Sequence, residues 1–157
     1  MYPKQHLILG FFFALILFLI FPEIDFFGFL IIVSASVLID FDHYVYYIYK
    51  KGDFSLKNAY NWYVKNGEKF FSLPENKRAN IKFGFCFLHG IEVIVLIFIL
   101  FFFFKYNFLI FISTGLIFHQ FLDAVELSRK KLPLHKVLSI TYYLIYAKNK
   151  KLPEDII

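Results

Sequence analysis

Cysteine occurs once in 157 residues, at Cys86, and methionine and tryptophan once each. One thiol excludes an internal disulfide, and its place in an apolar run marks Cys86 as a packing residue. Glycine (7) and proline (5) are sparse, and the chain has neither an internal repeat nor a low-complexity linker. Charged residues make up only 18% and are nearly missing from several long stretches. The N-terminal run after Lys4 imitates a signal peptide, but no small-residue cleavage site follows it. Phe21-Pro22-Glu23 is a poor substitute, so the run reads as a retained helix.

What is abundant is apolar surface. Hydrophobic residues reach 59% and the mean hydropathy is +0.61, above the roughly half-apolar content of soluble domains. The 24 Phe and 11 Tyr accompany many Ile, Lys and Asn, a mix that a genome rich in A and T produces. The composition indicates one integral membrane domain.

The apolar runs predict four spanning helices, each needing about 20 residues to cross. The first covers about Pro3 to Phe21, with Pro3 suited to a first turn. After the tight acidic turn Pro22-Glu23-Ile24-Asp25, the second runs from Phe26 past Ile39 into the tyrosines 44–49, which fit the headgroup level. In the polar 50–82 loop, Asp53 or Ser55 could cap a short helix ended by Asn66-Gly67. Its apolar side (Leu56, Tyr60, Tyr63, Val64) could lie on the membrane surface. Ser72-Leu73-Pro74-Glu75 looks like a capping box, opening a helix that continues into a third span, Phe83 to Phe104. Lys105-Tyr106-Asn107 is a short turn before the fourth, Phe108 to Leu127. A last segment, Leu134 to Ala147, is too short to cross and reads as interfacial; the lone His135 reads as an interfacial side chain. The expected fold is all-α, a four-helix membrane bundle over 1–128 with interfacial helices in the 2–3 loop and in the C-terminal 129–157 segment.

Basic residues orient the bundle. The 2–3 loop carries Lys50, Lys51, Lys57, Lys65, Lys69, Lys77, Arg78 and Lys82, and the stretch after helix four carries seven more, whereas the 1–2 turn has none and the 3–4 turn has only Lys105. Both termini and the large loop are therefore expected in the cytoplasm. The net charge of +5 suits anionic headgroups without any nucleic-acid partner.

On that topology the ionisable residues converge at one leaflet. Asp40-Phe41-Asp42-His43 closes the apolar run Phe26 to Ile39; Asp40 and His43, three apart, share a helical face, and Asp42 points elsewhere, toward a second neighbour or ion. His6 lies near the start of helix one. His89 and Glu92, three apart, open helix three, and His119 and Asp123, four apart, close helix four. Each residue alone has a plain structural reading as a cap, an interhelical hydrogen bond or a partner for lysine. Together they are costly near a membrane unless compensated. Imidazole with carboxylate is the ligand set of zinc, and of iron or manganese. Carboxyl–His pairs on facing helices are one way to hold two metals. The candidate ligands are His6, Asp40, Asp42, His43, His89, Glu92, His119 and Asp123, enough for one or two divalent ions. Asp42 or Glu92 would be the general base. Arg78 and Lys82 could hold a phosphate beside the metals, or simply snorkel as positive-inside residues.

These motifs resemble the YdjM/YbcI-like membrane-bound metal-dependent hydrolases over residues 3–127. The likeness rests on the early His6, the block Leu38-Ile39-Asp40-Phe41-Asp42-His43, the opening His89 and the closing His119-Gln120-Phe121-Leu122-Asp123. Two departures are plain: Ile39 stands where that family often has proline, and only Leu88-His89-Gly90-Ile91-Glu92 stands where it often has an Arg-containing stretch with two histidines. Glu92 as a ligand is thus an inference from this chain alone. The His-x-x-x-Asp spacing is also similar to zinc-dependent phospholipase C and P1-type nucleases. The resemblance implies a metal-dependent hydrolase, acting on a phosphoester or other lipid headgroup bond at the cytoplasmic leaflet. Two other readings stand beside it: transport or sensing of a divalent ion, and a structural membrane protein whose polar residues only fix helix packing.

Overall fold

The computed structural model describes residues 3–78, 81, 87–130, 139–147, 150 and 152. Among these the structure is all-helical. Helix α1 is Pro3–Ile20, α2 Phe26–Leu38, α3 Phe41–Lys51, α4 Leu56–Ser72, α5 Glu75–Arg78, α6 Ile91–Phe104 and α7 Asn107–Arg129. A single turn, α8 (Ile140–Tyr142), runs into a wider π-type turn at Tyr143–Ala147.

Local chemistry explains most boundaries. Asp25, in the acidic turn, caps α2 by accepting the Gly28 N–H at 2.7 Å. Gly52 ends α3 in the left-handed region (φ 66°), where its N–H reaches the Ile48 carbonyl and a side chain would be strained. Ser55 caps α4 through the Asn58 N–H, and Asp53 supports it by accepting from Ser55 N, Tyr47 Oη and Asn58 Nδ2.

Several boundaries differ from the sequence expectation. Helix two does not run unbroken through the acidic block: a tight turn at Ile39–Asp40 separates α2 from α3, with Asp40, Asp42 and His43 N–H groups bonding three residues back rather than four. Helix α4 passes through Asn66-Gly67 and stops only before Pro74, because an interior glycine costs about 1 kcal/mol whereas the residue before a proline resists helical geometry. Ser72 is the last residue of α4, and its hydroxyl donates back to the Lys69 carbonyl. The third apolar helix starts at Ile91 rather than Phe83. Its 14 residues span roughly 21 Å, short of a bilayer core of about 30 Å. Cys86, His135 and the part of the expected 134–147 segment before Ser139 lie outside the described residues.

Two helical stretches are long and apolar enough to cross a membrane, Phe26–Lys51 taken as one (26 residues) and Asn107–Arg129 (23 residues); Lys4–Ile20 and Ile91–Phe104 are shorter apolar helices. Helix α7 touches α1, α2 and α6, and α2 also packs on α1. The α2–α7 approach depends on Gly115: a Cβ there would lie 2.6 Å from the Ile32 carbonyl oxygen and 2.7 Å from the Ala35 Cβ. Such small residues let helix backbones close together. The apolar core is a cluster of Ile39, Ile94 and Leu116. Large apolar side chains on α1 and α6, such as Phe12, Ile16, Phe102 and Phe103, face outward. The most deeply buried side chains instead include His6, Ser36, Asp42, His89, Ser113 and His119. The interior is thus polar where α1, α2, α3 and α7 meet the turn before α6.

Candidate metal centre

The turn at Ile39–Asp40 does two things at once. It re-aims Asp40 and Asp42, and it releases a carbonyl. In an unbroken helix the Ser36 carbonyl would take the Asp40 N–H; here that N–H goes to Val37, and the Ser36 carbonyl accepts from His119 Nδ1 at 2.8 Å. With Nδ1 donating, the Nε2 lone pair of His119 faces the cluster.

His89 is fixed in the same sense. It sits before Gly90, the N-cap of α6, in a turn held from three sides. Asp42 Oδ2 lies 3.1 Å from its Nδ1 and also accepts the Leu88 N–H at 2.8 Å. Gln120 Nε2 donates to its carbonyl at 2.8 Å. Its Nε2 looks toward Asp40 Oδ1 at 3.2 Å and His119 Nε2 at 3.2 Å. Asp42 therefore does not point to a separate neighbour, as its position on a continuous helix suggests. It backs the same imidazole that Asp40 faces, and its side chain is fully enclosed.

The remaining members close around these atoms. Asp123 Oδ2 is 3.4 Å from His119 Nε2 and 4.0 Å from His89 Nε2, and His119 Nε2 is 3.6 Å from Asp40 Oδ1. Ligand atoms about 2.0–2.1 Å from a tetrahedral zinc stand roughly 3.3 Å from one another. Most separations among Asp40 Oδ1, His89 Nε2, His119 Nε2 and Asp123 Oδ2 are close to that edge. His43 Nε2 is 3.6 Å from Asp40 Oδ1, at the open side, with its side chain 34% exposed. Tyr63 of α4 donates to the His43 carbonyl at 2.9 Å and sets its ring edge-on to the imidazole at 5.0 Å. His6, fully buried, stacks on His119 at 3.9 Å with its Nε2 3.2 Å from Asp123 Oδ1.

The donor set suits a cation. In each of two groups, His6–His119–Asp123 and Asp40–His43–His89, one ligand atom per residue lies within 4.8 Å of the others. Asp40 Oδ2, Asp42 Oδ1 and both His6 ring nitrogens are buried without a hydrogen-bond partner among the described residues, a costly state for groups that nothing binds. These buried His and Asp groups could hold a metal ion.

Three candidates fall outside the cluster. Glu92 does not share a face with His89, because His89 precedes the helix that Glu92 begins. Its carboxylate accepts instead from Ser139 Oγ and the Ile140 and Thr141 N–H groups, tethering the C-terminal segment. Arg78 donates to the Leu73 and Phe71 carbonyls, closing the end of α4 rather than opening toward a phosphate. Lys82 lies outside the described residues. Conversely, the Ser36 carbonyl, the Leu88 N–H, Gln120 and Tyr63 escaped the sequence reading. Backbone groups, amides and phenols that act behind a ligand leave no spacing pattern.

No protein-family model, curated protein or solved structure matches the chain, so its function has to be argued from this geometry.

Proposed function

We propose that the protein is an integral membrane, metal-dependent hydrolase that acts on a phosphoester or lipid headgroup bond at the cytoplasmic leaflet. The observation that carries this is the convergence of Asp40, His89, His119 and Asp123, with five of the six separations among their ligand atoms between 3.2 and 4.0 Å and both imidazoles held by their Nδ1 atoms. In this reading those four residues hold a divalent cation, with zinc the best match to the ligand types and manganese or iron also compatible.

When bound, such a cation polarises a phosphoryl oxygen and lowers the pKa of a water toward about 7. The chain's own residues supply the rest. Asp42 and the Ser36 carbonyl hold the His89 and His119 rings in register, the outer support that ligating histidines generally have. Asp42 is too enclosed to exchange protons with a water, and Glu92 is committed elsewhere, so neither is the base. His43 stands at the open edge within 3.6 Å of Asp40 Oδ1 and is the group placed to accept a proton and deliver it to a leaving oxygen.

The membrane part of the reading draws on the outward apolar faces of α1 and α6 and on internal satisfaction of helix hydroxyls: Ser36, Ser113 and Thr114 each donate to a carbonyl one turn back. Outward apolar side chains and internally paired polar groups are what a lipid solvent demands. In this reading Phe26–Lys51 and Asn107–Arg129 cross the membrane, the shorter apolar helices α1 and α6 complete a four-helix bundle, and the basic-residue bias puts both termini and the 50–82 loop on the cytoplasmic side. The test is headgroup release from mixed-lipid vesicles by purified protein loaded with zinc or manganese. Turnover that Asp40→Asn abolishes is the expected result. No turnover on any lipid or soluble phosphoester at full metal occupancy would overturn the hydrolase assignment.

A further inference from the structure

We infer that the centre is binuclear, with a second divalent cation held by His6 Nε2 and Asp123 Oδ1 beside the first. This rests on the metal reading above and deepens it. His6 is 1% exposed, and among the described residues neither of its ring nitrogens has a well-aligned hydrogen bond. An imidazole held this way in a polar interior forfeits a hydrogen bond at Nδ1 and leaves Nε2 directed at a carboxylate without a well-aligned bond to it.

Its orientation is specific. The His6 and His119 rings are stacked at 3.9 Å and inclined by only 17°. Both Nε2 edges face the same carboxylate, His6 toward Oδ1 at 3.2 Å and His119 toward Oδ2 at 3.4 Å. The two Nε2 atoms, carried on stacked and nearly parallel rings, each take a different oxygen of that carboxylate. They aim at two positions separated by about the stacking distance, which matches the roughly 3.5–4 Å between ions in two-metal sites. Asp123 then bridges, one oxygen to each ion. The position beside His119 is completed by His89 and Asp40. Among the described residues the position beside His6 has two protein ligands, so it is the weaker of the two.

The experiment is metal stoichiometry of the detergent-purified full chain at saturating free zinc, by elemental analysis, for the parent and for His6→Ala. Two equivalents in the parent and one in His6→Ala is the expected result. One equivalent in both overturns the second position while leaving the first intact; none in either overturns the metal reading itself. Because His6→Ala could fail to fold, the unmodified protein is also loaded with manganese and examined by electron paramagnetic resonance. A spin-coupled pair supports the bridged arrangement, and isolated-ion spectra at every loading overturn it.

Discussion

Asp42 illustrates how much depends on a side chain that need not touch the cation. It joins His89 Nδ1 and the Leu88 N–H through one oxygen, setting both the tautomer and the position of a proposed ligand. Asp42→Asn keeps the shape and removes the charge, and is expected to weaken zinc affinity by about 10–100-fold in competition with a chromophoric chelator, with little change in helicity. A proton and a cation also compete for the place between His89 Nε2 and Asp40 Oδ1. Zinc binding should therefore release protons, and affinity should fall as pH is lowered. Calorimetry in two buffers of different ionisation enthalpy reads this directly; identical heats in both would contradict it. At this scale the sequence was informative wherever candidate ligands lie within one turn of each other: the spacings of Asp40, at the N-cap of α3, with His43 and of His119 with Asp123 on α7 survive as 3.6 Å and 3.4 Å contacts. It misled at Glu92, where equal spacing from His89 had no meaning because the helix begins between them.

Between elements, the close approach of α2 and α7 brings the Ser36 carbonyl to His119, and Gly115 permits it. Gly115→Ala puts a methyl against the Ile32 carbonyl and should destabilise the fold by about 1–3 kcal/mol, read as a lowered thermal midpoint in detergent. Glu92 ties the C-terminal segment to the start of α6; Glu92→Ala should speed hydrogen exchange at Ile140 and Thr141 while leaving zinc affinity unchanged, whereas a Glu92 ligand would change that affinity. The α3–α4 connection carries a titrating cap. Hydrogen bonds from Tyr47 Oη, the Ser55 N–H and the Asn58 amide hold the Asp53 carboxyl below its ordinary value of 3.8. A folded pKa below the unfolded one stabilises above the unfolded value and is lost as pH falls through the folded one. Acidification below about 4 should loosen this loop, and Asp53→Asn should remove that pH dependence. The apolar runs made α1, α2 and α7 readable in the sequence. The turn at Ile39–Asp40 was not, since no glycine or proline marks it and its function is met by tertiary partners.

At the scale of the molecule, a small apolar core around Ile39, Ile94 and Leu116 sits beside a buried polar cluster, and many phenylalanines and isoleucines face outward. Cysteines placed singly at Glu23 and Asn61, in a Cys86→Ser background, should be labelled by an impermeant thiol reagent from opposite sides of the membrane, with Asn61 reached from the cytoplasm. Labelling of both from one side would refute the proposed topology. The composition pointed to apolar helices, two of which are long enough to cross a membrane. It could not reveal that four elements deliver their ligands to one point, because that depends on three backbone contacts far apart in the chain. The most direct test of that convergence is zinc-edge X-ray absorption of the loaded protein. The account predicts a nitrogen and oxygen shell at about 2.0–2.1 Å with imidazole scattering that weakens in His89→Ala and in His119→Ala. A shell of water oxygens alone, or imidazole scattering unchanged by both substitutions, would contradict it.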